Sequence, residues 1–277
     1  MTSSLCQVLS LEKLEQHRYR AIHHKENFQN SLFGGQVLAQ ALMAAGSTVT
    51  ELLPHSLHAY FLRAGSSQFP IDYEVSVNRD GRSFSHRTVN ALQNGKLIFS
   101  LMASFHHPEN GYEHSMRWKK DYPMPDPNAV EGPFEMASKH ANLHAEAFEF
   151  SLLSTNMISD VAAAAGAEFW MRSQELLPTS PLLQACALAY ASDFGLLATS
   201  LCEHNASLFK GGVIGASIDH ALWFHNYSFN VNNWLLYEMT SPWAGNARGL
   251  STGRIYDMDG TLIASSTQEG LIRPVTP

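Results

Sequence analysis

The chain lays out one structural plan twice, and no other feature of the sequence narrows the possible folds as far. Residues 33–46, FGGQVLAQALMAAG, open on glycines and set Val37, Leu38, Ala41, Leu42 and Ala45 at helical spacing, which predicts a core-facing helix. A strand follows over 55–63, HSLHAYFLR. Strict alternation then puts Ile71, Tyr73, Val75 and Val77 on one face of another strand over 71–79. HRTVNALQ and LIFSLMASF come next, joined through Asn94-Gly95, a dipeptide suited to the positive backbone angles of a tight hairpin. The second half keeps this order. ALAYASDFGLLATSL at 187–201 gives the helix, 215–226 and 232–240 give strands, and the last hairpin turns at Asp259-Gly260. His58-Ala59 recurs as His220-Ala221, 162 positions on, and the two turn glycines lie 165 apart.

A long apolar helix followed by an antiparallel meander has one economical packing, in which the sheet curls around the helix and buries it. That is the hotdog arrangement. The expected fold class is therefore α+β, a double hotdog, with an N-terminal domain over 1–107 and a C-terminal domain over 161–277. Residues 108–160 are read as a proline-containing linker, because Pro108, Pro123, Pro125, Pro127 and Pro133 suit an extended connection laid over the surface.

Composition and motifs exclude several classes. A net charge of -7 argues against a broad nucleic-acid or anionic-membrane footprint, and no uninterrupted apolar run reaches membrane-span length. Cys6, Cys186 and Cys202 show no CxxC spacing and read as reduced thiols. Met1 to Gln16 lacks a basic leader, and the Arg273 to Pro277 ending is not a peroxisomal signal, so a cytoplasmic location is expected. His140 and His144 share a helical spacing but have no third ligand and no HExxH, and His23-His24 and His106-His107 suit strand ends. Neither GxxxxGK[ST] nor GxGxxG occurs. Gly215-Ala-Ser217-Ile-Asp219 misses the final glycine of a nucleophile elbow and runs into a strand instead of a helix.

FGGQVLAQAL, HSLHAYFLRAG, RDGRSFSHR, NGKLIFSLMASF, YASD, IDHALWFH, WLLYE and TQEG, in this order across nearly the whole chain, resemble the acyl-CoA thioesterase II family, TesB in bacteria. The resemblance implies a double hotdog that hydrolyses acyl-CoA, needs no metal or cofactor, and assembles as a dimer or tetramer. It also implies a catalytic set in the C-terminal domain: Asp193 from YASD, Ser217 before IDHALWFH, and Gln268 from TQEG, together holding a water. Ser217 departs from the threonine of bacterial members, which keeps the hydroxyl but loses the methyl that fixes its rotamer.

The residue types suit that chemistry. A thioester has a good leaving group, so the main task is to make water a nucleophile. Asp193, expected near a helix start, can serve as general base, whereas the amide of Gln268 cannot and is left to orient. Aligning the halves sets Gly34 opposite Asp193, His55 opposite Ser217 and Ala103 opposite Gln268, so one centre per chain is expected. Gly34 and Gly35 are candidates for oxyanion donors or, equally, for tight helix packing. Asp219 and His220 form an alternative acid-base pair, although alternation points Asp219 to the side of Ser217 and His220 to the other. Arg63, Arg79, Arg82, Arg87 and Arg248 are candidates for the phosphates of coenzyme A. A hotdog enoyl-CoA hydratase and a non-catalytic acyl-CoA-binding protein stay open as alternatives.

Overall fold

The structure, a computed structural model, describes residues 4–24, 31–118, 122–125, 147–153, 166–208 and 212–275. The first half contains α1 (Leu5–Leu9), β1 (Glu12–Glu15), β2 (Arg18–Ala21), α2 (Gly34–Gly46), β3 (Leu53–Phe61), β4 (Ile71–Asp80), β5 (Phe84–Gln93) and β6 (Lys96–His106). The second contains β7 (Phe148–Leu152), β8 (Gly166–Ser173), α3 (Pro181–Ser192), α4 (Leu196–Thr199), β9 (Val213–Ser217), β10 (Asp219–Phe224), β11 (Leu235–Gly245), β12 (Arg248–Tyr256) and β13 (Leu262–Pro274).

The described strands all join one sheet in the order β1-β2-β4-β5-β6-β3-β10-β13-β12-β11-β8-β7, with β9 alongside β13. The two halves meet where β3 pairs with β10, and moving outward from that seam each presents its strands in the same succession. This is the double hotdog. The repeat extends further than the sequence showed, because β1 and β2 before α2 have counterparts in β7 and β8 before α3. The linker assigned to 108–160 therefore needs correction: it contains β7, and the second unit includes Phe148 rather than opening at 161. A five-residue edge strand carries too little alternation to be read from sequence. The part that does behave as a connection crosses the outer face of the second half. There Trp118 packs edge-on to Trp170 at 5.9 Å and the Trp170 indole donates to Pro123 O at 2.9 Å.

The helices α2 and α3 lie side by side and antiparallel on the inner face. A Cβ on Gly35 would sit 2.3 Å from Tyr190 O, near the end of α3, and one on Gly46 would sit 2.3 Å from Leu182, near its start. The expected helix over 187–201 is displaced. It begins at Pro181, whose fixed φ suits a first turn, and stops at Ser192, with Asp193 as C-cap and Gly195 at φ 86° breaking the chain before α4. Apolar residues continue through that break, so their periodicity could not reveal it. Asp193 thus stands at a helix end, not near a start. The stretch Pro181–Thr199 is apolar enough to cross a membrane by length and composition, but most of it is buried in this core.

Register corrects the alignment of the halves. His58 pairs with Ala221 and Ala59 with His220, and paired residues share a face, so His220 points inward with Ala59 while His58 faces solvent. The matching His-Ala dipeptides are one residue out of structural step, and a one-residue slip exchanges the two faces. The turns give the true register. Ala103 stands as far beyond Gly95 as Gln268 does beyond Gly260, and Ala103 faces Leu57 across β6 and β3. Leu57 is then the counterpart of His220, and Pro54, facing Phe105, is the counterpart of Ser217, facing Gly270. His55 is not opposite Ser217, and Gly34 is not the equivalent of Asp193 but its neighbour in space. The C-cap of α2, Ser47, takes that equivalent place.

Candidate active site

Asp193 leaves the end of α3 and turns its carboxylate toward the start of α2, where the Gly35 backbone N–H donates to it. A helix N-terminus is a favourable place for negative charge. The approach depends on Gly34, since a Cβ there would lie 2.7 Å from Asp193 Oδ2. Burial nevertheless dominates. The side chain is 5% exposed, and desolvation pushes its pKa up to about 6 although the bonds from Gln268 and Gly35 pull the other way.

Gln268 reaches this carboxylate from β13, where alternate residues face inward, and it is 1% exposed. Its Nε2 donates to Asp193 Oδ1 at 2.5 Å and approaches His220 Nδ1 at 3.1 Å. Its Oε1 is buried with no hydrogen-bond partner. Ser251, facing Gln268 across β12 and β13, also has a buried hydroxyl oxygen without a partner. Two unpaired polar atoms on one inner face, beside a buried carboxylate, make this the place where a small polar reactant finds binding partners.

His220 was expected to point away. The pairing of β9 and β10 with β13 explains why it does not: Ser217 faces Gly270 and Ala221 faces Thr267, so one extra residue is accommodated around Ile218. The bulge reverses the alternation and brings Ser217, His220 and Gln268 to one face. Asp219 goes to the other, where its Oδ1 accepts the Glu269 N–H at 2.7 Å, so Asp219 and His220 do not form a pair. His220 Nδ1 lies 3.8 Å from Asp193 Oδ1, but burial lowers the imidazole pKa to about 3, so this is not an ion pair at neutral pH.

Of the sequence-selected residues, Asp193 and Gln268 are therefore in direct contact. Ser217 shares their face, one step along β13, and among the described residues has no hydrogen bond to either. Nor does it bond to a histidine that could activate it as a nucleophile. Gly35 has its N–H turned to Asp193, which removes it from the oxyanion pair. Arg87 is 2% exposed and holds Asp80 at 2.7 Å and Thr48 Oγ1 at 2.8 Å, so its guanidinium is used in packing. Arg248 pairs with Glu269 at 2.8 Å. His140 and His144 lie outside the described residues. Sequence reasoning missed Ser192, Ser251 and the inward turn of His220, and only the bulge could have exposed the last.

Fold and geometry define a double hotdog protein with a buried carboxylate–carboxamide centre, its side chains carried by the second half and set where the end of α3 meets the start of α2. Residues 24–106 match the family described as acyl-CoA thioesterase N-terminal domain, and residues 122–272 the acyl-CoA thioesterase C-terminal domain. The chain is 36% identical to acyl-CoA thioesterase 2 of Haemophilus influenzae, over 98% of this chain and 97% of that one. It is also 36% identical to mouse acyl-coenzyme A thioesterase 8, over 96% and 88%. The solved structure of the acyl-CoA thioesterase II TesB2 from Mycobacterium marinum superimposes with a TM-score of 0.80 at 36% identity, covering 98% of each chain. This chain belongs to the acyl-CoA thioesterase family.

Proposed function

We propose that the chain hydrolyses acyl-CoA to a carboxylic acid and coenzyme A by attack of water, with Asp193 as general base and Gln268 and Ser217 as orienting groups. The observation that carries this reading is the Gln268 bond to Asp193, which fixes the carboxylate and turns a bare Oε1 acceptor into the site. Water gives one proton to Asp193, and its second hydrogen is held by Gln268 Oε1. Its oxygen bonds to the acyl carbon. The tetrahedral intermediate then collapses by breaking the C–S bond, and the thiolate, with a conjugate acid of pKa ~8.5, leaves without needing a proton first. The oxyanion role expected of Gly34 and Gly35 narrows to the Gly34 N–H. We also propose that the chain is a cytoplasmic dimer or tetramer, and light scattering checks the assembly.

Two measurements test it. The base must be ionised, so kcat/KM followed by thiol release should rise tenfold per pH unit up to a limb near 6, the value to which burial brings Asp193, and then level. A flat profile through this range would remove Asp193 from the role. Acid quench during turnover, with intact mass measurement, should find no acyl group on Ser217, because no base is bonded to its hydroxyl. An adduct would establish a serine nucleophile instead.

A further inference from the structure

We propose that His220, held by Ser192, is a positioning residue that fixes which way round the Gln268 carboxamide sits. The inference rests on the reading of Asp193 as base. Ser192 Oγ donates its single hydrogen to Ala189 O at 2.9 Å. Toward His220 Nε2, 2.9 Å away, the same oxygen can then act only as acceptor, so the imidazole proton resides on Nε2. Nδ1 is left as a bare acceptor 3.1 Å from Gln268 Nε2. The carboxamide must present its NH2 to that nitrogen, and the same NH2 reaches Asp193 Oδ1 at 2.5 Å.

The imidazole does what the carboxylate alone cannot. An ionised Asp193 attracts the Gln268 NH2 by itself. A protonated Asp193 would gain by donating to Oε1, so a free carboxamide would turn over and stabilise the wrong form of the base. The turned carboxamide would also withdraw Oε1 from the attacking water. With His220 in place the turn would set Oε1 against the bare Nδ1, acceptor against acceptor in a buried site, and the unmade bond opposes it. The lock holds throughout the titration of the base, because His220 stays neutral down to about pH 3.

Few other groups compete for control of Asp193. β11 brings Tyr237, whose hydroxyl donates to Ser192 O at 2.7 Å and which burial keeps protonated. β10 carries Asp219 on the opposite face, and β13 likewise turns Glu269 away. α2, α3, α4 and β9 contain no charged side chain, and His58 on β3 faces solvent. The first half supplies the natural contrast: Leu57 and Ala103, both fully buried, occupy the places of His220 and Gln268.

The test is the pH dependence of kcat/KM for the wild type, His220→Leu and His220→Asn. Leucine copies the first half and removes the acceptor. The acid limb should then move up by about one pH unit, the preference that one net hydrogen bond sustains. In H220N the amide can meet Gln268 with either its oxygen or its NH2, so a polar partner is kept without the lock, and the limb should move up as in H220L. A limb unmoved in H220L, with only the plateau lowered, overturns the proposal, since a purely structural role reduces the active fraction without moving it. A wild type lacking any limb near 6 would instead defeat the assignment of Asp193, so the two failures are distinguishable. If H220L does not fold, Ser192→Ala releases the tautomer while keeping the ring and should move the limb in the same direction, and no movement again overturns the proposal. The 15N spectrum of histidine-labelled wild type, with His220 identified by its loss in H220N, should show Nε2 protonated and Nδ1 bare. The opposite tautomer also overturns it.

Discussion

Asp193→Asn is expected to lower acyl-CoA hydrolysis by at least about a hundredfold, the lower end of what a general base contributes, with binding of a non-hydrolysable acyl-CoA analogue retained. Asparagine preserves the shape but cannot take a proton from water. It also disturbs the hydrogen-bond inventory, because Asp193 accepts from both Gln268 and Gly35 whereas one side of an asparagine amide must donate. Stability should respond with a definite sign. The folded pKa of Asp193 is raised, so its contribution is complete below the unfolded value of 3.8 and is lost as pH rises through about 6. That loss is of order 3 kcal/mol by pH 8, and the variant escapes it. Thermal unfolding should therefore favour D193N more at pH 8 than at pH 4, relative to wild type. Undiminished thiol release at pH 8 would refute the role of this carboxylate, whereas a variant that also fails to bind the analogue would point to damage of the site as a whole.

The same residue shows what sequence could and could not deliver. Helix α2, the hairpin turns and the strands of both meanders follow from periodicity and from Asn94-Gly95 and Asp259-Gly260, because side-chain burial with period 3.6 or 2 is a direct consequence of one apolar face. The contact between Asp193 and Gln268, far apart along the chain, rested on resemblance, and the geometry joins them. The end of α3 was hidden because the buried surface continues through Phe194 and Leu196, so the apolar signal has no edge where the backbone breaks. The inward turn of His220 was hidden for a different reason. Alternation counts residues, and a single bulge at Ile218 changes the count without changing composition. The His-Ala repeat misled in the same way, since matching letters put a solvent-facing His58 in the place of a fully buried His220.

Gly35→Ala is expected to cost about 2–3 kcal/mol of stability, within the range for overpacking a tight interior. A Cβ at this position lies 2.3 Å from the carbonyl oxygen of Tyr190 and 2.6 Å from the Phe33 ring. The first of these is backbone and cannot rotate aside, so α2 and α3 must part. Alanine's better helix propensity returns less than about 1 kcal/mol, too little to reverse the sign. The melting temperature should fall by roughly 4–10 °C, given the usual scaling for domains of comparable size. Gly34→Ala separates packing from chemistry. Its Cβ would meet the tip of the Asp193 side chain at 2.7 Å, which can swing away, so stability should change less while hydrolysis falls more. The pair therefore distinguishes two steric roles: the missing side chain of Gly35 sets how closely the helices approach, and that of Gly34 sets where the base can stand. Equal melting of G35A and wild type would mean that the helices do not approach as closely as 2.3 Å implies. Full activity in G34A would mean that the carboxylate works from a different position.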